Sequence, residues 1–345
     1  MQQVRLGLVG FGNVGQGLAH ILRDYAAAYE QKFGVRFVIT AVADMRLGCV
    51  YHPQGLDLAA LLAKVEKDRT LKGLPDAQPD WDALTLAQQA EMDALAEMSY
   101  TDLKTGEPAS TYIREALRRG VHVVTSNKGP VALHYGELER LAQENGVQLG
   151  VEGTVMSGTP ALRLGREILA AAGIRRVEGI FNGTTNFILT KMEEGAPYPE
   201  ALHEAQALGY AEADPTGDVE GYDAAGKVVI LARLLMGVQM GMKDVDREGI
   251  THLTPEDIRQ AKQDGRRWKL IGTLEWKDDR LYASVRPQPI PISHPLAGVG
   301  GATNAIHYTT DLLGEVTLIG PGAGRLATGY ALLEDLLAIC QLTPG

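Results

Sequence analysis

The sequence predicts an α/β protein: a doubly wound parallel sheet followed by a second α+β domain. Three observations carry that prediction. A short apolar run, Val4 to Val9, leads into the glycine-rich turn Gly10-Phe11-Gly12-Asn13-Val14-Gly15 and then into a helical pattern. A second apolar run, Phe37 to Ala43, rich in Val, Ile and Thr, follows that helix, so the order is strand, helix, strand, which implies parallel pairing. Near Glu152 the composition changes, and the chain beyond mixes helical segments with strand-like runs such as Arg280 to Arg286.

Taken in order, Val4–Val9 is the first strand and Val14 to about Tyr29 the first helix. Phe37–Ala43 is the second strand. Residues 56–94 read as an insertion, with Leu58, Leu61, Leu62 and Val65 on one helical face and a loop from Pro75 to Asp82. Ile113 to Arg119 is a helix closed by Gly120, and Val121 to Thr125 a buried strand. Leu138 to Glu144 is a helix ended by Asn145-Gly146, and Val147 to Val151 the next strand. In the second domain, Gly221 to Gly237 is helical. After Gly320-Pro321-Gly322-Ala323-Gly324 a final helix carries an apolar stripe of Leu326, Tyr330, Leu333, Leu337 and Cys340, which suits packing against the first domain. The expected organisation is therefore residues 1–150 with 318–345 as a dinucleotide-binding domain, and 151–317 as a catalytic and dimerisation domain.

Bulk properties narrow the function. The chain has 345 residues, 45% apolar and 22% charged, an ordinary globular balance, with a formal charge of -10. That balance argues against a nucleic-acid binder, which needs a basic face for phosphates. Two cysteines, Cys49 and Cys340, stand far apart and form neither a disulfide framework nor a zinc motif. The early residues lack signal-peptide character, and the longest apolar stretch, Val228 to Val238, is interrupted by Arg233 and too short to span a bilayer. A cytoplasmic enzyme on a small molecule, without membrane or nucleic-acid partners, is the expectation.

The glycine-rich turn fits G-x-G-x-x-G directly after a strand and at the start of a helix, the context of a Rossmann-type dinucleotide site. Its residues Gly10, Phe11, Gly12, Asn13, Val14 and Gly15 are candidate cofactor contacts, because the turn brings backbone N–H groups to a pyrophosphate at a helix N-terminus. Asp44 ends the second strand, where an acid binds a ribose 2′-hydroxyl; it stands later than the usual ~20 residues because the first helix and its loop are long. Arg46, two residues on, suits a 2′-phosphate instead, or is a solvated loop residue. NAD and NADP both remain open.

Thr125-Ser126-Asn127-Lys128 follows a buried strand, at the end that faces the ligand crevice in a doubly wound sheet, so Lys128 is a candidate for a substrate carbonyl or carboxylate rather than a surface lysine. The stretch from Leu208 to Lys227 gathers Tyr210, Glu212, Asp218 and Asp223 ahead of an almost wholly apolar helix. Asp223 and Lys227 lie four apart and share a helix face. An acidic helix start and a weak surface pair would explain them. A helix this apolar is buried, however, and charges on it need partners or a chemical role. Clustered carboxylates hold an ammonium group, and a lysine beside an aspartate exchanges protons with a hydroxyl.

With these residues in hand, the chain resembles the homoserine dehydrogenase family over nearly its whole length. The motifs that carry the resemblance are Gly10 to Gly15, Val123 to Pro130, Glu152-Gly153-Thr154-Val155-Met156-Ser157-Gly158-Thr159-Pro160, Gly179 to Asn186, the acidic stretch, and Gly320 to Gly324. The resemblance implies interconversion of L-homoserine and L-aspartate 4-semialdehyde by hydride transfer with NAD or NADP, in threonine and methionine biosynthesis. It implies a substrate site of Gly183, Thr184, Tyr210, Glu212 and Asp218, the two acids near the α-amino group. Asp223 and Lys227 would serve proton transfer at the C4 oxygen, with Lys128 close by. Ser99, where relatives often carry threonine, and Gly324 would meet the cofactor. It also implies a monovalent cation, Na+ or K+, at Glu152, Val155, Ser157 and Thr159, held largely by backbone carbonyls, and a homodimer built on the second domain. Some relatives carry a C-terminal regulatory domain or a fused aspartate kinase; with the chain at Gly345 neither is expected, nor is threonine inhibition through one.

Other readings are an NAD(P) oxidoreductase on another small amino acid, a non-catalytic dinucleotide sensor, and a phosphorylating aldehyde dehydrogenase. The last needs an activated cysteine in the second domain, where this chain has none. A sensor would not need Glu212, Asp218, Asp223 and Lys227 together.

Overall fold

A computed structural model describes residues 2–78 and 80–342. The chain divides into two compact units, residues 1–158 with 324–345, and residues 159–323.

In the first unit, β1 (Gln2–Val9) leads through the glycine turn into α1 (Asn13–Asp24), α2 (Ala26–Phe33) and β2 (Val35–Asp44). The one helix expected from 14 to 29 is two, because Tyr25 leaves helical geometry at φ -115 and closes α1 onto the Ile21 carbonyl. β3 (Gly48–Tyr51), which carries Cys49, runs antiparallel to β2 at the sheet edge. Next come α3 (Leu58–Asp68), α4 (Ala83–Gln89) and β4 (Ala94–Glu97). Because β4 pairs directly and in parallel with β1, residues 56–94 are not an insertion but the crossover that a parallel pair requires. Its helix α3 buries Leu61, Leu62 and Val65, the face read from the sequence. α5 (Ala109–Arg118), β5 (His122–Thr125), α6 (Lys128–Glu144) and β6 (Leu149–Gly150) complete the sheet, whose order is β3-β2-β1-β4-β5-β6. α6 starts at Lys128, ten residues before the predicted Leu138, because Asn127 caps it by accepting from the Gly129 N–H. The strand order reverses between β1 and β4, so their carboxyl ends open the crevice where such sheets bind ligands.

The second unit holds α7 (Ala161–Arg163), β7 (Ile174–Ile180), α8 (Gly183–Glu193), α9 (Tyr198–Ala207), α10 (Thr216–Val219) and α11 (Tyr222–Met236). β8 (Asp246–Arg247), α12 (Pro255–Gln263), β9 (Arg266–Lys277), β10 (Arg280–Pro291), β11 (Thr303–Thr310) and β12 (Gly314–Pro321) follow. The sheet order is β12-β11-β7-β9-β10-β8, antiparallel except for β8 beside β10. Helix α11 lies on β9 and β10, and its residues Ala224 to Ala232 are all buried. Phe181 fills the space between this helix and the sheet: a Cβ on Gly179 or Gly272 would come within 2.3 or 2.6 Å of its ring, so both positions need glycine.

The last helix, α13 (Arg325–Leu342), returns to the first unit and lies along α1. Leu333, Leu337 and Cys340 are buried as the stripe predicted, but Leu326 and Tyr330 are exposed; Leu332, Leu336 and Ile339 complete the inward face instead. Contacts place residues 151–158 with the first unit, where Glu152 N–H donates to Asp335, and residues 318–323 with the second, where β12 pairs with β11.

Candidate active site

The cofactor turn is built from backbone. Gly10 adopts φ +90, and a Cβ there would lie 2.5 Å from the Met98 carbonyl oxygen, so the chain can turn from β1 into α1 past the end of β4 only with glycine. A Cβ on Gly15 would meet the Gly10 carbonyl at 2.4 Å. A Cβ on Gly12 would meet nothing within 4 Å, and no side chain caps α1, which leaves open space in front of its first N–H groups. That opening fits a pyrophosphate. Asp44, at the end of β2, accepts from the Phe11 N–H at 2.8 Å and from the N–H groups of Arg46 and Leu47 at 2.9 and 3.1 Å. It therefore stands beside the turn, as a ribose-binding acid must. The Arg46 side chain is exposed.

The ends of β4 and β5 are tied together. Ser99 donates to the Glu97 carboxyl from both its N–H and its hydroxyl. Asn127 donates to the Ser99 and Tyr100 carbonyls at 3.3 and 3.2 Å while capping α6, whose first residue is Lys128. Gly324, at φ +141, directly precedes α13. Glu152 to Thr154 form a single tight turn, after which Met156 and Ser157 are both left-handed, at φ 60 and 54. The Ser157 hydroxyl lies 2.7 Å from that of Thr328, and the Thr159 hydroxyl donates to the Pro321 carbonyl. Among the described residues no group of three or more His, Cys, Asp and Glu side chains could hold a metal ion.

The second unit gathers a side-chain cluster. Asn182 follows β7, caps α8, and fixes its own amide by accepting from Thr185 N–H and hydroxyl at 2.9 Å each. Its NH2 then donates to Asp218 at 2.7 Å and to Asp223 at 3.0 Å. Lys227, 7% exposed, donates to Asp223 at 2.7 Å and to the Phe181 carbonyl. Burial, and then the negative charge of Asp223, hold the Asp218 carboxyl above the usual carboxylate range. The Thr184 hydroxyl donates to the Tyr210 carbonyl at 2.6 Å, and the Tyr210 ring sits 5.1 Å from that of Phe187. Gly183 passes so close to the Ala302 carbonyl that a Cβ would come within 2.6 Å. The structure thus joins Thr184 with Tyr210, and Asp218 with Asp223 and Lys227. Glu212, by contrast, has an exposed side chain on the loop between α9 and α10.

Sequence reasoning missed Asn182 as the bridge between the two acids; its signal was an Asn immediately before a helical run. It also missed Lys269. This lysine is 2% exposed and pushed down to about 8, first by burial. It donates to Asn186 Oδ1 at 3.0 Å and to the Val299 carbonyl at 2.6 Å. Asn186 in turn donates to the carbonyls of Val299, Gly301 and Thr303, and so fixes the loop beside Gly183. Neither cysteine belongs to a site. Both are buried, and burial pushes Cys49 up to about 12 and Cys340 up to about 11, far from thiolate chemistry.

A glycine turn with an acid beside it on a parallel sheet, and a buried lysine paired with half-buried acids in a second unit, define an NAD(P)-dependent oxidoreductase acting on a CH–OH group. Comparisons with known proteins agree. The family model for the homoserine dehydrogenase NAD-binding domain matches residues 10–152, and that for homoserine dehydrogenase matches 160–337. The chain is 45% identical over 342 residues to the NAD(+)-dependent homoserine dehydrogenase of Pseudomonas canavaninivorans, covering 99% of this chain and 97% of that one. It is 41% identical over 337 residues to the homoserine dehydrogenase of Methanocaldococcus jannaschii, covering 97% and 98%. A hyperthermophilic archaeal homoserine dehydrogenase in complex with NADPH superposes with a TM-score of 0.86 at 31% identity, covering 100% and 99%. The chain belongs to the homoserine dehydrogenase family.

Proposed function

We propose that the Asn182–Asp218–Asp223–Lys227 cluster is where L-homoserine and L-aspartate 4-semialdehyde are bound and interconverted. The observation that carries this reading is a nearly buried ammonium shared between an aspartate and a backbone carbonyl, with a second aspartate joined through one amide. Bound beside the glycine turn, a nicotinamide would supply hydride exchange with C4. The Lys227 ammonium gives its proton to the C4 oxygen when the aldehyde is reduced, and the neutral amine takes the hydroxyl proton when the alcohol is oxidised, with Asp223 keeping the group oriented. Asp218 and Glu212 offer negative charge to the α-amino group, with Gly183, Thr184 and Tyr210 shaping that end. Lys128 meets the substrate or the nicotinamide. The decisive experiment is NAD(P)H formation from L-homoserine by wild type and Lys227→Met: loss in the variant alone supports the assignment, and equal rates refute it.

For the cofactor, residues 10–15, Ser99 and Gly324 contact the dinucleotide and Asp44 accepts the ribose hydroxyls, favouring NAD over NADP; Arg46 is the opposing charge. A monovalent cation, Na+ or K+, fits the carbonyls turned by the left-handed Met156 and Ser157, with Glu152, Val155, Ser157 and Thr159 supplying oxygen, the ligand a hard cation prefers. A melting temperature that rises with Na+ or K+ but not with choline supports it; no difference rules it out. Among the described residues no helix is long and apolar enough to cross a membrane. A cytoplasmic homodimer paired through the second unit completes the proposal, and light scattering of the purified chain tests the dimer.

A further inference from the structure

The segment between β10 and β11, residues 292–302, packs as a strap on the second sheet. Its Leu296, Ala297 and Val299 are buried against Ile180, Ile271, Ile290 and Ala305. Side chains of two other elements capture its backbone. From β9, Arg267 donates to the Ala297 carbonyl at 3.2 Å and Lys269 to the Val299 carbonyl at 2.6 Å. From α8, the Asn186 NH2 donates to the carbonyls of Val299, Gly301 and Thr303, and the Thr190 hydroxyl accepts from the Gly301 N–H at 3.1 Å. Lys269 also donates to Asn186 Oδ1 at 3.0 Å, which turns the Asn186 NH2 towards the strap. These two hydrogen bonds of Lys269 run to neutral oxygens, while Glu193 pairs with Arg267 at 2.9 Å. An ammonium 2% exposed is costly to bury unless it is hydrogen-bonded. Here its donors tie one strand to a strap and to a helix.

We propose that Lys269 is a positioning residue for the amino-acid substrate: with Asn186 it holds the strap so that the Ala302 carbonyl seats the first residue of α8. The seating is tight. A Cβ on Gly183 would come within 2.6 Å of the Ala302 oxygen and 3.4 Å of Asn304 Oδ1, so strap and helix start meet without slack. Movement of the strap is therefore passed to Gly183 and Thr184, which shape the α-amino end of the substrate site. Lys269 acts only through the strap and Asn186. An apolar side chain of similar length would fill its space, but it would take a donor from both Asn186 Oδ1 and the Val299 carbonyl and leave the amide free to turn. The inference rests on the reading that Gly183 and Thr184 meet the substrate.

Lys269→Met keeps most of the side-chain length and removes the donor. The homoserine KM should rise roughly tenfold, on the scale of one hydrogen bond to a charged group. The cofactor KM should stay unchanged and kcat within about threefold, because the strap shapes substrate binding and not the proton step. An unaltered homoserine KM in folded Lys269→Met overturns the positioning role, and so does a fall in kcat with that KM constant. An equal rise in both KM values, the mark of general loosening, overturns it too. Thr190→Val removes the Gly301 anchor while keeping the side-chain shape, and it decides the matter where Lys269→Met does not fold. A homoserine KM about threefold higher there, with the cofactor KM constant, supports the role; no change overturns it. Asp218→Asn separates this inference from the site it rests on. If Asp218→Asn raises the homoserine KM and the strap variants do not, the positioning role is lost and the site stands; if none of the three raises it, both fall.

Discussion

The two units each set carboxyl groups beside a ligand crevice or cluster, and they surround them differently. In the second, Asp218 and Asp223 share the Asn182 amide, and the Lys227 ammonium answers their charge. In the first, the buried Glu97 carboxyl is met by hydroxyl and N–H donors of Ser99 and Thr125. On the proposed assignment the lysine–aspartate pair passes a proton to the substrate and recovers it, whereas donors on both Glu97 oxygens fix the ends of β4 and β5. The difference would separate a group that reacts from a group that holds.

The sharpest way to break that comparison is Lys227→Met. A positioned proton-transfer group contributes roughly 10²–10⁴-fold, so kcat in the folded fraction should fall by at least ~10². The melting temperature should fall as well, because the side chain of Asp223 would lose the partner of a mostly buried pair. Near-normal kcat in folded protein would make the pair structural and move the chemistry to Lys128.

Asp44→Ala tests the cofactor turn. The ratio of kcat/KM for NADP over NAD should rise about tenfold, near 1.4 kcal/mol; because Asp44 also binds the Phe11 N–H, the ratio, in which shared loosening cancels, is the quantity to measure. An unchanged ratio would dismiss Asp44 as the selector.

Asp218→Asn should show function and stability moving apart. The folded protein holds the Asp218 proton to higher pH than the unfolded chain does. The native state therefore binds more protons between the ordinary carboxylate pKa and the raised one, and stability falls as pH rises through that window. Above it, wild type bears the cost of an ionised Asp218 and the amide does not. At pH 7 the variant should melt about 2 °C higher while the homoserine KM rises several-fold. A lower melting temperature at neutral pH would show that Asp218 is stabilised as an anion.

The smallest effect is expected at the cysteines. Cys49→Ala and Cys340→Ala should leave kcat unchanged and cost only core packing, about 1 kcal/mol each. A large loss of kcat in either folded variant would reinstate acyl-enzyme chemistry.

The sequence by itself determined what local chemistry can encode. The turn Gly10 to Gly15 was legible from its glycine spacing after a strand, and α11 from an apolar run, Val228 to Ala232, that leaves its helix little face for water. Asp223 and Lys227 could be paired from their spacing alone, since one helical turn sets it. The family motifs named Glu212, but its exposed side chain and the half-buried one of Asp218 could not be told apart in the acidic stretch, because exposure there follows from how the loop between α9 and α10 folds. The break at Tyr25, the edge strand β3 and the true role of residues 56–94 were likewise settled only when β2 and β4 found their neighbours. Locally, Asn182 is only a residue before a helix and Glu97 only an acid in an apolar strand. Tertiary structure gave them meaning, because a hydrogen bond between residues 28 to 41 positions apart depends on strand order and helix placement, which no local pattern states.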